Sequence, residues 1–182
     1  PPDEETPMIH LTPADYRTQP WKNGRGTTTE LLHLTDPTGK TLLRLSRASV
    51  VEDGPFSLFP GIERNLTVLT GAGFRLTGPG LDLRCDPLVP VAFPGDVAVA
   101  ATDTNGQPSD DFNVMTARHL PRPEVSVVRD QFLPAAGSLA LYALGSCTVN
   151  GVPTATGDLL IAKEPAHLSG DGFLIAVRYF GV

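Results

Sequence analysis

The sequence predicts an all-β protein organised as two β-barrels in one chain, the second smaller than the first. Three observations carry this. Glycine and proline number 18 each in 182 residues, and they fall without a repeat period. They interrupt almost every window long enough for an amphipathic helix. Short β-branched and apolar runs recur between them, the pattern of a sandwich or barrel. Finally, a weak internal repeat suggests a duplicated unit.

Taken in order, "LTPADYRTQ" offers one short helical turn, with Thr12 as N-cap and Pro13 at the first helical position. Strands are then expected at 27–34, 41–51, 66–70, 73–76, 97–102 and 112–117. The two prolines of "RHLPRPE" break the pattern and place a boundary near residue 120. This divides the chain into 1–120 and 121–182. Further strands are expected at 125–128, 138–144, 147–149, 158–162 and 173–180. Asn150-Gly151 marks a tight hairpin, since both residues accept the positive φ angles of a type I′ turn. In the repeat, "LTGAGFRLTG" matches "LGSCTVNG", and Gly95-Asp96 matches Gly157-Asp158.

Composition narrows the function. Hydrophobic residues make up 41% of the chain and charged residues 19%, as in a globular protein able to bury a core unaided. The net charge of -6 disfavours binding to a nucleic-acid backbone. Between Lys22 and Arg64, however, six basic residues face five acidic ones. A locally basic segment on an acidic chain suits a small anionic metabolite. No run approaches a membrane span, and "PPDEETP" lacks the basic-then-apolar pattern of a secretory signal. The two cysteines, Cys85 and Cys147, have no metal spacing and read as reduced thiols. These features point to a cytoplasmic protein, and exposed barrel edges allow a homodimer.

Three segments are too polar for ordinary strands. In "PWKNGRGTTTEL" the single tryptophan, Trp21, reads as a packing anchor beside Lys22, Asn23 and Arg25. Strict alternation puts Thr28, Glu30, Leu32 and Leu34 on one face and His33 on the other. Glu30 then either enters the barrel, where it needs a partner, or faces solvent. In the next segment Arg44, Ser46 and Ala48 share a face. Arg44 is the better inward arginine because its small neighbours leave room, and its partner is Glu30 or a bound carboxylate. Phe56 and Phe59 read as core plugs, and Arg64 has no packing explanation. In "DDFNVMTARH", Asp111, Asn113 and Met115 share a face, where the polar pair either caps a loop or orients a ligand.

"ALGSCTVNGVPTATGDLLIAKEPAH" resembles the second half of a cupin barrel. More specifically, "PWKNGRGTTTEL", "LRLSRASVVEDGPFSLFPGIERNLTVLTGAGFRL" and "DDFNVMTAR", in this order, resemble the HutD/Ves family over residues 15–118. The resemblance implies a bicupin: two cupin-like (RmlC-like jelly-roll) β-barrels. No His-x-His pair is present, and His10, His33, His119 and His167 are scattered, so neither metal nor other cofactor is expected. The family's polar positions fall on Trp21, Lys22, Asn23, Gly24, Glu30, Arg44, Ser46, Asp53, Arg64, Asp111, Asn113 and Arg118. From these the expected ligand-binding set is Trp21, Lys22, Asn23, Glu30, Arg44, Ser46, Arg64, Asp111, Asn113 and Arg118. The implied function is binding of a small carboxylate such as formylglutamate in the regulation of histidine utilisation. Two alternatives stand beside it. One is a metal-independent enzyme using Glu30, Asp111 and Lys22 as acid–base groups; the other is a structural or regulatory protein acting through a protein partner. Arg25 replaces a family glycine, and Leu43 a family tryptophan.

Overall fold

The computed structural model describes residues 7–21, 24 and 26–182. Lys22 and Asn23, expected ligand groups, and Arg25, whose orientation bears on the loop, lie outside the described residues. Among the described residues, only Pro13–Asp15 is helical, as a single 3-10 turn. Thr12 does begin this turn, and its backbone N–H donates to the Asp15 carboxylate at 2.8 Å. Everything else regular is strand. In the first half these are β1 (Ile9–Leu11), β2 (Arg17–Pro20), β3 (Thr27–Thr35), β4 (Thr41–Val50), β5 (Gly54–Pro55), β6 (Ile62–Thr70), β7 (Phe74–Gly78), β8 (Leu81–Cys85), β9 (Val91–Pro94), β10 (Ala100–Thr102) and β11 (Ser109–Ala117). The second half contributes β12 (Glu124–Val128), β13 (Phe132–Leu133), β14 (Ser138–Ala143), β15 (Cys147–Val149), β16 (Val152–Thr154), β17 (Leu159–Ala162), β18 (Ala166–Ser169) and β19 (Leu174–Tyr179).

Two compact units result: residues 16–120, and residues 121–181 together with the segment ending at Asp15. The first has a six-stranded sheet ordered β2-β3-β4-β11-β6-β9 and a four-stranded sheet ordered β5-β10-β7-β8. In the second the orders are β1-β17-β14-β19-β12 and β13-β18-β15-β16. Replacing β4 through β11 in turn by β12 through β19 carries the first pattern onto the second. The duplication is therefore an eight-stranded jelly roll used twice. Shorter strands, and to a lesser extent shorter connections, make the second copy the smaller.

Two details of the sequence reading change. Gly95-Asp96 follows β9, whereas Gly157-Asp158 precedes β17, and β9 is the topological counterpart of β17. The two Gly-Asp pairs are thus not equivalent positions. The segment containing β1, grouped by sequence with residues up to 120, belongs to the second unit: Ile9, His10 and Leu11 pair with Ile161, Leu160 and Leu159. His10 also bonds Asp158 at 2.8 Å. Adding β1 covers what would otherwise be the β17 edge of that sheet.

The Asn150-Gly151 hairpin is present, with φ angles of 49° and 75° joining β15 to β16. Asn150 also bonds the Pro165 carbonyl and the His167 amide, at 3.1 and 2.7 Å. The core of the first unit gathers Val50, Leu66, Val68, Phe74, Leu76, Cys85 and Phe93. That of the second gathers Val128, Leu139, Leu141, Val149, Leu160, Leu168 and Leu174. Both cysteines are free and buried. No helix among the described residues is long and apolar enough to cross a membrane.

Candidate functional site

Strands β4, β11 and β6 lie side by side at the middle of the six-stranded sheet, and their register assembles the site. Ser46 pairs with Asn113 and Asn113 with Leu66; Arg44 pairs with Met115 and Met115 with Arg64. Because side chains alternate along a strand, Arg44, Ser46 and Ala48 project to the same side as Asp111, Asn113 and Met115. They line a cavity of about 690 Å³ in the first unit, with Arg64, Gln19, Trp21, Thr28, Phe56 and Phe59. That volume lies within the range of metabolite pockets, about 300–1,000 Å³.

Arg64 is the dominant group. It is 7% exposed, and its guanidinium carbon lies 5.4, 5.1 and 5.1 Å from the ring centres of Phe56, Phe59 and Phe93. The ring faces stabilise the cation that burial destabilises. Nη2 donates to Asn113 Oδ1 at 3.0 Å, and the Asn113 amide in turn donates to Asp111 Oδ1. Nε is buried without a hydrogen-bond partner among the described residues. Burial lowers the Arg64 pKa to about 10, against the raising influence of Asp111. At neutral pH the side chain remains a cation. Asp111, 1% exposed, moves the other way: burial raises it to about 7, although Asn113 and Arg64 both pull it down.

Arg44 has its own counter-ion. Its Nε donates to Glu30 Oε1 at 3.1 Å, and His33 Nδ1 lies 3.3 Å from the same oxygen. Here strict alternation fails. A bulge between Glu30 and Leu32 shifts the register, so Glu30 pairs with Ser46 but His33 pairs with Arg44. One extra residue moves every later side chain to the opposite face. His33 therefore joins Glu30, while Leu32 and Leu34 fall on the other side. Glu30 braces Arg44 and is not itself a wall of the cavity.

Trp21 is held at the rim by a bond from Nε1 to Thr28 Oγ1 at 2.8 Å. Its ring lies over Gly26, where an added Cβ would come within 2.9 Å of it. Of the expected ligand set, the cavity thus brings together Trp21, Arg44, Ser46, Arg64, Asp111 and Asn113. Arg118 is not among its walls; its guanidinium binds Asp96 and Glu63 instead. Asp53 caps a loop by accepting from the Thr104 amide and hydroxyl. Sequence reasoning missed Gln19 and Phe93, both on edge strands with prolines at their ends. It read Phe56 and Phe59 as core plugs; Phe56 does pack on the core and against Phe74, but both rings are also cavity walls and partners of Arg64. Among the described residues, no group of three His, Cys, Asp or Glu is placed to hold a metal ion.

The family model for HutD matches residues 13–176. The chain belongs to the HutD family. Protein Ves of Citrobacter koseri is 38% identical over 122 residues, a match spanning 65% of this chain and 64% of that relative's length. Among solved structures, HutD from Pseudomonas fluorescens SBW25, in a formate condition, is 29% identical. It superposes with a TM-score of 0.83 over 96% of this chain and 100% of its own. A conserved protein of unknown function from Pseudomonas aeruginosa PAO1 gives the same identity and TM-score over 97% and 100%. The nickel-bound pirin YhhW of Escherichia coli, at 11% identity and a TM-score of 0.66 over 96% of this chain and all of its own, shares the cupin-type fold of this HutD-family chain.

Proposed function

We propose that this HutD-family chain binds a small carboxylate metabolite, formylglutamate-like, without a metal, and thereby regulates histidine utilisation in the cytoplasm. The observation that carries the proposal is Arg64: a desolvated cation on the wall of a metabolite-sized cavity, with a buried Nε that has no partner among the described residues. Unsatisfied buried donors are uncommon in folded proteins, and a carboxylate is the acceptor that a guanidinium matches best. Arg44 adds a second guanidinium, oriented by Glu30, while Trp21, Phe56 and Phe59 provide apolar walls for the rest of the molecule.

The test is thermal shift and calorimetry with formate, formylglutamate, urocanate and glutamate, on the wild type and Arg64→Met. A ligand at one hundred times its Kd stabilises the fold by about 2.7 kcal/mol, well within detection. The wild type is expected to respond to at least one carboxylate, and Arg64→Met to bind it at least about a hundredfold more weakly, the loss of a charge-assisted pair. Silence of the wild type toward all four at millimolar concentration would refute the proposal. A second reading, a metal-independent enzyme, draws on Asp111: a cavity carboxyl raised to about 7 suits acid–base work near neutral pH. Turnover abolished in Asp111→Asn with binding retained would favour that reading.

A further inference from the structure

Arg118 follows the last residue of β11 and is not among the cavity walls, yet it meets the groups at the C-terminal end of the cavity's aromatic loop. Its backbone N–H donates to the Gly61 carbonyl at 2.9 Å. Its Nη1 and Nη2 bind the two Asp96 oxygens, each at 2.7 Å, and Nε binds Glu63 at 2.8 Å. Nη2 also reaches the Ile62 carbonyl at 3.4 Å. Gly95, the neighbour of Asp96, donates to that same Ile62 carbonyl and accepts from the Phe59 amide, both at 2.7 Å. The approach is so close that a Cβ on Gly95 would lie 2.7 Å from the Phe59 carbonyl oxygen. The guanidinium therefore ties the end of β11 to the turn at 95–96 and to the start of β6, while the backbone N–H of the same residue holds Gly61, the last residue of the loop that carries Phe59.

We propose that Arg118 is a positioning residue for the anion site, a latch that keeps the 56–61 loop closed so that Phe59 stays packed on the Arg64 guanidinium. Its effect on affinity rests on the carboxylate-binding reading; its effect on the loop does not. A single exposed ion pair contributes little to stability. This one is bidentate to Asp96, shared with a second carboxylate and tied to a backbone carbonyl, so its geometry is tightly determined. The mutual stabilisation is visible in Asp96, whose pKa falls to about 2, chiefly through its bonds from Arg118. The effect falls on a loop with no strand pairing of its own, where local opening is easiest.

The experiment is amide hydrogen exchange, read residue by residue, on the wild type, Arg118→Met and Arg118→Lys. Formylglutamate and formate affinities are measured on the same samples. In Arg118→Met, exchange at the Phe59 and Gly95 amides is expected to rise about tenfold or more, while β4 and β11 amides keep their wild-type rates. Affinity is expected to fall about tenfold, mostly through faster dissociation. Arg118→Lys, which retains the charge but not the fork, should recover part of both effects. Unchanged exchange at Phe59 and Gly95, or a rise shared equally by β4 and β11, overturns the latch. Affinity lost with exchange unchanged also overturns it, because Arg118 would then be meeting the ligand directly. Faster exchange with unchanged affinity severs the latch from the site. If the wild type binds neither carboxylate, the proposed function fails, while the exchange rates still decide whether Arg118 holds the loop.

Discussion

Replacing Asp111 by asparagine should change how stability depends on pH, and by an amount the structure sets. The carboxyl is 1% exposed, and burial raises it from 3.8 to about 7. The groups acting on it are Asn113 and Asp110 on its own strand, Arg47 on β4 and Arg64 on β6. Asp110 raises it further; Asn113, Arg64 and Arg47 oppose the shift without cancelling it. Below pH 3.8 Asp111 is protonated whether the chain is folded or not, and its burial costs the least. Between 3.8 and about 7 the unfolded chain releases the proton and the folded chain retains it. Stability is therefore lost as pH rises through this window, and the loss is complete above it. At ~1.4 kcal/mol for each tenfold change in proton affinity, the loss is on the order of 4 kcal/mol. That is a large part of the 5–15 kcal/mol or so that holds a typical domain folded.

Asparagine retains an oxygen to accept from the Asn113 amide but has no proton to lose. Urea unfolding from pH 4 to pH 8 can be followed through Trp21, which lies in the same unit as Asp111. The stability of Asp111→Asn relative to the wild type should rise by about 2–4 kcal/mol across this range, the lower end allowing for partial relaxation around the charge. A difference that stays flat within about 0.5 kcal/mol would refute the reasoning, because it would mean that the carboxyl ionises in the fold as it does in water. So would direct observation of Asp111 titrating near pH 4 in the native protein.

Two other substitutions test the local geometry. Gly26→Ala puts a Cβ within 2.9 Å of the Trp21 ring, so the ring must move. We expect a change in tryptophan fluorescence and a loss of about 1–3 kcal/mol in urea unfolding. Unchanged emission would mean that the ring does not lie on this glycine. Asn150→Ala removes two side-chain bonds and places alanine at a φ of 49°, for an expected loss of about 1–3 kcal/mol. Asn150→Gly restores the backbone freedom but not the bonds, and thermal unfolding should place it between alanine and the wild type. Equal stability of the alanine and glycine variants would show that the backbone conformation contributes nothing.

Where a strand runs straight through the centre of a sheet, its sequence told which way each side chain points. Arg44 with Ser46, and Asp111 with Asn113, were readable by alternation because β4 and β11 keep register across those residues. Glu30, which precedes the bulge, was readable too, but Leu32, His33 and Leu34 were not, since a bulge leaves no mark in a run of threonines and leucines. The aromatic enclosure of Arg64 was hidden for another reason. Its rings come from the 56–61 loop and from β9, brought together only by tertiary pairing. Strand β9 itself was masked by Pro90 and Pro94, which are tolerated because it lies at a sheet edge. Arg118 illustrates the limit of matching residues to a family pattern. The match marks a position as shared, but not whether it touches a ligand or holds the loop that does.

The duplicated topology supplies an internal control for the site. Strands β6 and β11 in the first unit correspond to β14 and β19 in the second. In the second unit these strands give Leu139, Leu141, Ala143, Leu174 and Ala176 to the core. In the first, β6 contributes Leu66 and Val68 in the same way, but Arg64, Asp111 and Asn113 turn polar groups to the barrel side. A jelly roll does not need those groups to fold, because its sibling folds with aliphatic residues in their place. Burying them costs free energy that hydrogen bonds only partly offset. Their expense shows in the raised Asp111, the lowered Arg64 and the Nε with no partner among the described residues. Of two copies of one architecture, the first carries buried polar groups on a cavity wall where the second carries aliphatic core, and that difference is why the proposed ligand is assigned to the first barrel.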